Sequence, residues 1–124
     1  MTSNRASTTM YQLTSRQFFE KQLPTLLKAA PPADLKGVVE FTIEGAGGEV
    51  WWVDFAQKTV SKAGPKAPKF AALVRAQERD FVALVEGRMS PADGLLTQRL
   101  HLAGEAVAIA KLTAAIGQIA ARAS

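Results

Sequence analysis

Single alternation of apolar and polar residues marks two stretches near the middle of the chain, and apolar residues spaced by three and four mark much of the rest. Val39, Phe41 and Ile43 alternate with Glu40, Thr42 and Glu44, and Trp51, Val53 and Phe55 alternate with Trp52 and Asp54. A period of two is the signature of a half-buried strand. Between the two runs stands Gly45-Ala46-Gly47-Gly48, rich in the residue that most readily adopts the positive φ of a tight reversal. The stretch from Val38 to Phe55 is therefore read as a β-hairpin with one apolar face. Such a face needs a cover, and the remaining pattern supplies helices.

Before the hairpin, Thr14 and Gln17 have capping-box spacing, and Phe18, Phe19, Leu23, Leu26 and Leu27 follow at helical intervals. Pro24 lies inside this pattern. It removes a hydrogen bond and crowds the preceding turn, which predicts a kink or two helices abutting at Leu23. Pro31-Pro32 ends the unit. After the hairpin, Thr59 to Ala63 reads as a third strand, Gly64 to Lys69 as a loop, and Phe70 to Ala76 as a fourth strand. Glu78 to Glu86 returns to helical spacing through Phe81, Leu84 and Val85, with Gly87 as the C-terminal cap. Ser90-Pro91-Ala92-Asp93 opens a short helix carrying Leu95 and Leu96, and Leu100 and Leu102 alternate with Arg99 and His101 in a last strand.

From Glu105 to Ala123 a long helix shows three strips. Ile109, Leu112, Ile116 and Ile119 form an aliphatic line; Lys111, Gln118 and Arg122 form a polar one; Ala106, Ala110, Ala114 and Ala121 form a strip of small residues. The small strip reads either as helix propensity alone or as space for an apolar molecule or another helix.

A length of 124 residues fits one domain, and 48% hydrophobic with 21% charged residues is ordinary globular composition. Residues 1–14, Ser- and Thr-rich at their start, are expected to form a flexible tail, and 15–124 the domain. The absence of cysteine rules out disulfides, thiol catalysis and thiolate metal sites. No apolar run is long enough to span a membrane or to serve as a secretory leader, so a cytoplasmic protein is expected. The net charge of +4 is concentrated in Lys58, Lys62, Lys66, Lys69, Arg75 and Arg79, with Glu78 the one acid among them. That segment reads as a solvated strand edge guarded by lysines, or as a surface for anions such as a membrane. Nucleic acid is not expected, because Phe70 is the sole stacking aromatic there.

Catalytic chemistry has little to work with. His101 is the only histidine, which excludes a multi-histidine metal site, and its strand alternation sets it opposite Leu100 and Leu102. Glu40 with Glu44, and Asp54 with Glu49, fall on positions read as solvent-facing. A cofactor-free isomerase would need one of Asp54, Glu78, Asp80 or Asp93 to titrate anomalously in an apolar pocket.

The ordered elements resemble the sterol carrier protein 2 domain family. The resemblance rests on Phe18-Phe19-Glu20 through Leu23-Pro24 and Leu26-Leu27; on Val39 to Ile43 before a glycine turn; on Trp51 to Phe55; on Asp80-Phe81 with Leu84 and Glu86-Gly87-Arg88; on Ser90-Pro91; and on Leu100 to Glu105 leading into Ala108 to Leu112. It spans most of Ser15 to Ile116. Gln98-Arg99 departs from the family's usual Gly-Lys pair, and Gln77 or Glu78 from its usual Ser or Asp helix cap. The resemblance implies an α/β (α+β) fold, a five-stranded, mostly antiparallel sheet covered by helices. It implies a non-catalytic carrier, without a cofactor or metal, for a fatty acid, sterol, acyl thioester or isoprenoid held between the sheet and the last helix. Transient contact with an anionic membrane belongs to the same expectation. The expected lining is Phe41, Ile43, Trp51, Val53, Phe81, Leu84, Leu96, Leu100, Leu102, Ile109, Leu112 and Ile116, each equally readable as plain core. Gly94 and Gly104 are the expected flexible points for entry. The alternative is an accessory subunit that presents a lipid precursor to a biosynthetic enzyme.

Overall fold

The computed structural model describes residues 13–30 and 35–123. The expected tail falls almost wholly outside the described residues, as does the Pro31-Pro32 break. The first helix, α1, begins where its capping box predicts: Thr14 Oγ1 accepts from the Gln17 backbone N–H at 3.1 Å, and Gln17 Oε1 accepts from the Thr14 N–H at 3.3 Å. It runs as Ser15–Gln17 in α geometry, Phe18–Gln22 as a π turn, and Leu23–Ala29 in α geometry again. No break occurs at Pro24. The Leu23 N–H instead reaches back to the Phe18 carbonyl, and this wider turn makes room for the proline ring where a regular helix would clash with it. The helix stays continuous and both Phe18 and Phe19 point inward.

The five strands are β1 (Val38–Glu44), β2 (Val50–Asp54), β3 (Thr59–Lys62), β4 (Phe70–Gln77) and β5 (Leu100–Gly104). They lie in the order β3-β2-β1-β4-β5. Three of the four neighbour pairs are antiparallel, and β1 runs parallel to β4. At the β1–β2 turn a Cβ on Gly48 would lie 1.9 Å from the Ile43 carbonyl oxygen, so only glycine fits. Three more helices follow: α2 (Glu78–Val85), α3 (Pro91–Leu96) and α4 (Ala106–Ala123). Ser90 Oγ caps α3 by accepting from the Asp93 N–H at 3.0 Å.

One face of the sheet is buried under the helices. Val39, Phe41 and Ile43 from β1, Trp51 and Val53 from β2, Ala72, Val74 and Ala76 from β4, and Leu100 from β5 join helix residues Phe18, Phe19, Leu23, Phe81, Leu84, Leu112 and Ile116 in one cluster. The alternation read from the sequence is thus the alternation of burial. On the other face Trp52 is half-buried rather than free: its indole N–H donates to Glu40 Oε2 at 2.9 Å and its ring meets Phe70 edge-on at 5.7 Å.

Candidate functional site

The core under the helices has two chemically different halves. At one end, Phe19 is sandwiched between Trp51 and Phe81, with ring centroids 5.1 Å away on each side and planes tilted by 12° and 14°. Phe18 and Phe41 close the cluster edge-on. Stacked aromatic pairs add about 0.5–1.5 kcal/mol each beyond the area they bury, so this half is tightly held. At the other end α4 lies against β4 and β5. Here the floor is Ala72, Val74, Ala76 and Leu100, and the cover is Leu112, Ala115, Ile116 and Ile119.

Of the residues proposed from sequence as a lining, Phe41, Ile43, Trp51, Val53, Phe81, Leu84, Leu100, Leu112 and Ile116 come together in the buried cluster. Leu102 packs against it and Ile109 is half-buried on α4. Leu96 does not face the cluster; it is 82% exposed. The cause is Gly94, buried so closely that a Cβ would sit 3.0 Å from Leu100 Cβ. That contact fixes the side of α3 turned to β5, and residue 96, two positions on, turns away from it. Gly94 is thus a close-packing position, while Gly104, at φ +139°, makes the turn from β5 into α4. Leu96 on α3 and Val107 on α4, the latter 66% exposed, are two exposed apolar residues on helices that touch each other.

Phe18 and Phe19 were absent from the sequence-derived lining. Their signal was adjacency: two neighbouring aromatics in a helix that a proline interrupts. The small-residue strip of α4 faces outward, since Ala106, Ala110, Ala114 and Ala121 are all exposed. It therefore opens no space above the sheet.

Polar groups gather at the hairpin end of the sheet. Glu78, first residue of α2, accepts from the Ser15 backbone N–H at 2.9 Å and from the Ser15 hydroxyl. The carboxylate thus stands at the positive ends of α1 and α2 together. Glu49, read from sequence as solvent-facing, turns to the inner side with Trp51. Its Oε2 lies 3.1 Å from Lys62 Nζ, while Oε1 is buried without a partner among the described residues. The indole N–H of Trp51 is likewise buried and unpartnered among them. A buried polar group left unpaired costs about 1–3 kcal/mol. A recess of about 300 Å³, lined by Thr14, Arg16, Ala46, Gly47, Gly48, Glu49 and Glu78, opens beside this corner. Asp54 instead serves its own turn, accepting from the Ala56 and Gln57 N–H groups. His101 is exposed on the open face, in a shallow groove with Arg75. Among the described residues, no three His, Asp or Glu side chains are placed to hold a metal ion.

Residues 19–117 match the family model of the SCP-2 sterol transfer family. The chain belongs to that family. Solved structures place other SCP-2 proteins on the same fold. Sterol carrier protein 2 like 2 from Aedes aegypti superposes with a TM-score of 0.69 at 24% identity, over 80% of this chain and 94% of that one. The palmitated form of the same mosquito protein gives 0.64 at 24%, over 81% and 92%. The ubiquinone synthesis protein UbiJ-SCP2 gives 0.58 at 13%, over 89% and 98%. At these identities the likeness establishes the SCP-2 fold. A search of curated protein sequences finds no match. No helix among the described residues is long and apolar enough to cross a membrane.

Proposed function

We propose that this SCP-2 domain is a non-catalytic carrier that takes up one apolar lipid chain between the sheet and α4, residues 15–124 acting as one unit. The observation that carries the reading is the family match over nearly the whole folded region, joined to a core to which α4 itself contributes only aliphatic residues. An aliphatic wall adapts to an acyl or isoprenoid chain with few directional demands, whereas the stacked rings at the other end resist rearrangement. Each buried methylene contributes about 0.8 kcal/mol, so ten give roughly 8 kcal/mol before association costs, the scale of micromolar binding. Palmitate on the mosquito relative supports a fatty acyl chain as one occupant. The expected route in passes between α3 and α4, which carry the exposed Leu96 and Val107. The setting we propose is the cytoplasm, with transient contact to an anionic membrane through the exposed lysines Lys58, Lys66 and Lys69.

The deciding experiment is native mass spectrometry of the purified protein, followed by organic extraction and identification of whatever is released. A stoichiometric lipid is the expected result. Lipid-free protein that also fails to take up fluorescent fatty acids or sterols would mean that side chains fill the core permanently. The likeness to a ubiquinone synthesis protein favours one second reading, a subunit that presents a lipid precursor to an enzyme. Co-purification of a partner protein along with the lipid would select it.

A further inference from the structure

We infer that the open face of the sheet, the one turned away from the helices, pairs with the same face of a second copy of this chain. The inference goes beyond the carrier reading and does not depend on it.

Four residues mark the middle of that face. The β1–β4 register sets Glu40 beside Leu73 and Thr42 beside Arg75, and by alternation all four point away from the buried Phe41 and Val74. They line a shallow groove of about 240 Å³ together with His101. Leu73 is 41% exposed, and the half-buried pair Trp52 and Phe70 extends the apolar area on the same face. Aromatic rings beside an arginine are a combination enriched at protein interfaces. Glu40 and Arg75 occupy opposite corners of the quartet. Strand spacing and rise put their Cα atoms about 8 Å apart, and among the described residues neither forms an ion pair. The Glu40 carboxylate is held in place by the Trp52 indole N–H, which engages one oxygen, Oε2, at 2.9 Å.

This diagonal of charge decides the partner. A wholly acidic surface meets the like charge of Glu40, and a wholly basic one meets that of Arg75. The fitting partner carries both signs on the same diagonal, and a second copy related by a two-fold axis supplies them by symmetry. An axis along the Thr42–Leu73 diagonal exchanges Glu40 with Arg75, so each carboxylate meets the other copy's guanidinium, while the two copies of Leu73 meet at the centre. The strands of the two sheets then cross steeply, as in orthogonal sheet packing. Five strands about 4.8 Å apart and about five residues long give a footprint of roughly 400 Å² per copy, below the ~800 Å² per partner of a standard interface. The pairing is therefore weak and reversible. Because the helices lie on the far side of each sheet, both interiors face outward in the pair.

The test is sedimentation velocity on the full chain from about 10 µM to about 1 mM. Wild type is expected to pass from monomer to dimer across that range, and to associate less at high salt. Glu40→Arg and Arg75→Glu each set like charges together at both contacts, and each is expected to raise the dissociation constant at least about tenfold. An equal mixture of these two variants restores both ion pairs, since the new cation at position 40 meets the new anion at position 75 and the native Arg75 meets the native Glu40. The mixture is expected to associate where neither component does alone. Glu40→Arg gives up the bond from Trp52, so Leu73→Asp, which leaves that bond in place and sets two like charges at the centre, is the second check and is expected to abolish the dimer. Wild type that stays monomeric at about 1 mM overturns the pairing and leaves the face to another occupant. A dimer unmoved by Arg75→Glu and Leu73→Asp, or a mixture of folded charge variants that stays monomeric, overturns it as well. Each of these outcomes leaves the carrier reading standing, because none of them measures lipid uptake.

Discussion

Ser15 is the one fully buried polar residue among the described residues, and its N–H and hydroxyl both go to the carboxylate of Glu78, 63 residues away along the chain. A charge-assisted pair of this kind is stronger than its neutral equivalent, and removing one member leaves the other unpaired. Ser15→Ala and Glu78→Gln are each expected to lower stability by about 1–3 kcal/mol in urea unfolding. The double variant should cost clearly less than the two singles together, because both delete one interaction. Additive losses would show that the contact contributes nothing in solution. The sequence offers Gln77 or Glu78 where the family commonly has a Ser or Asp cap, and no local pattern reveals that Glu78 pairs with Ser15. Glu49 was misread by being grouped with Asp54, although two residues before Trp51 the same period-two alternation sets it on the inner side.

At the scale of elements, long amphipathic patterns were legible and short ones were not. α4 offers enough turns for its buried line to be read directly, and Leu112, Ile116 and Ile119 are all buried. α3 has six residues, too few for periodicity to set its phase, and of its adjacent leucines the sequence points to Leu96 for the lining where Leu95 packs against the core. Leu112→Ala is expected to cost about 2–5 kcal/mol, whereas Leu96→Ala should stay within about 0.5 kcal/mol of wild type. Thermal or urea denaturation checks both, and a large loss at Leu96 would contradict its exposure. The π turn in α1 was legible only as trouble at Pro24. The proline is visible in the sequence, but whether a helix breaks or widens depends on what holds its two sides, and here that is Phe19 wedged between Trp51 and Phe81.

For the molecule as a whole, the carrier reading requires α4 to move relative to the sheet while the aromatic end stays put. Because the chain has no cysteine, a disulfide engineered between α4 and β4 would be the only one and could be opened at will. The expected outcome is uptake of a fluorescent fatty acid at least about tenfold slower in the oxidised form and restored by reduction. Equal rates in both forms would place the entrance elsewhere. The fold class, the strand order of the hairpin and most of the buried face were legible, because burial and period-two alternation are the same fact seen twice. The state of the interior was not: aliphatic residues that pack on one another and those that part for a ligand follow one pattern.

The parallel seam between β1 and β4 divides the domain in a way that chain order alone conceals. Within the sheet the β1-β2-β3 meander lies on one side of that seam and β4 and β5 on the other, and α2 reaches back across it to set Phe81 against Phe19 and Phe41. The exposed loop 63–69 is the only covalent bridge among the described residues after β3. The first half brings Phe18, Phe19, Phe41 and Trp51, and the second brings α4 with its aliphatic floor. Each half therefore holds an unfinished wall of the same interior, and the domain is an assembly of two complementary pieces that happen to be translated as one.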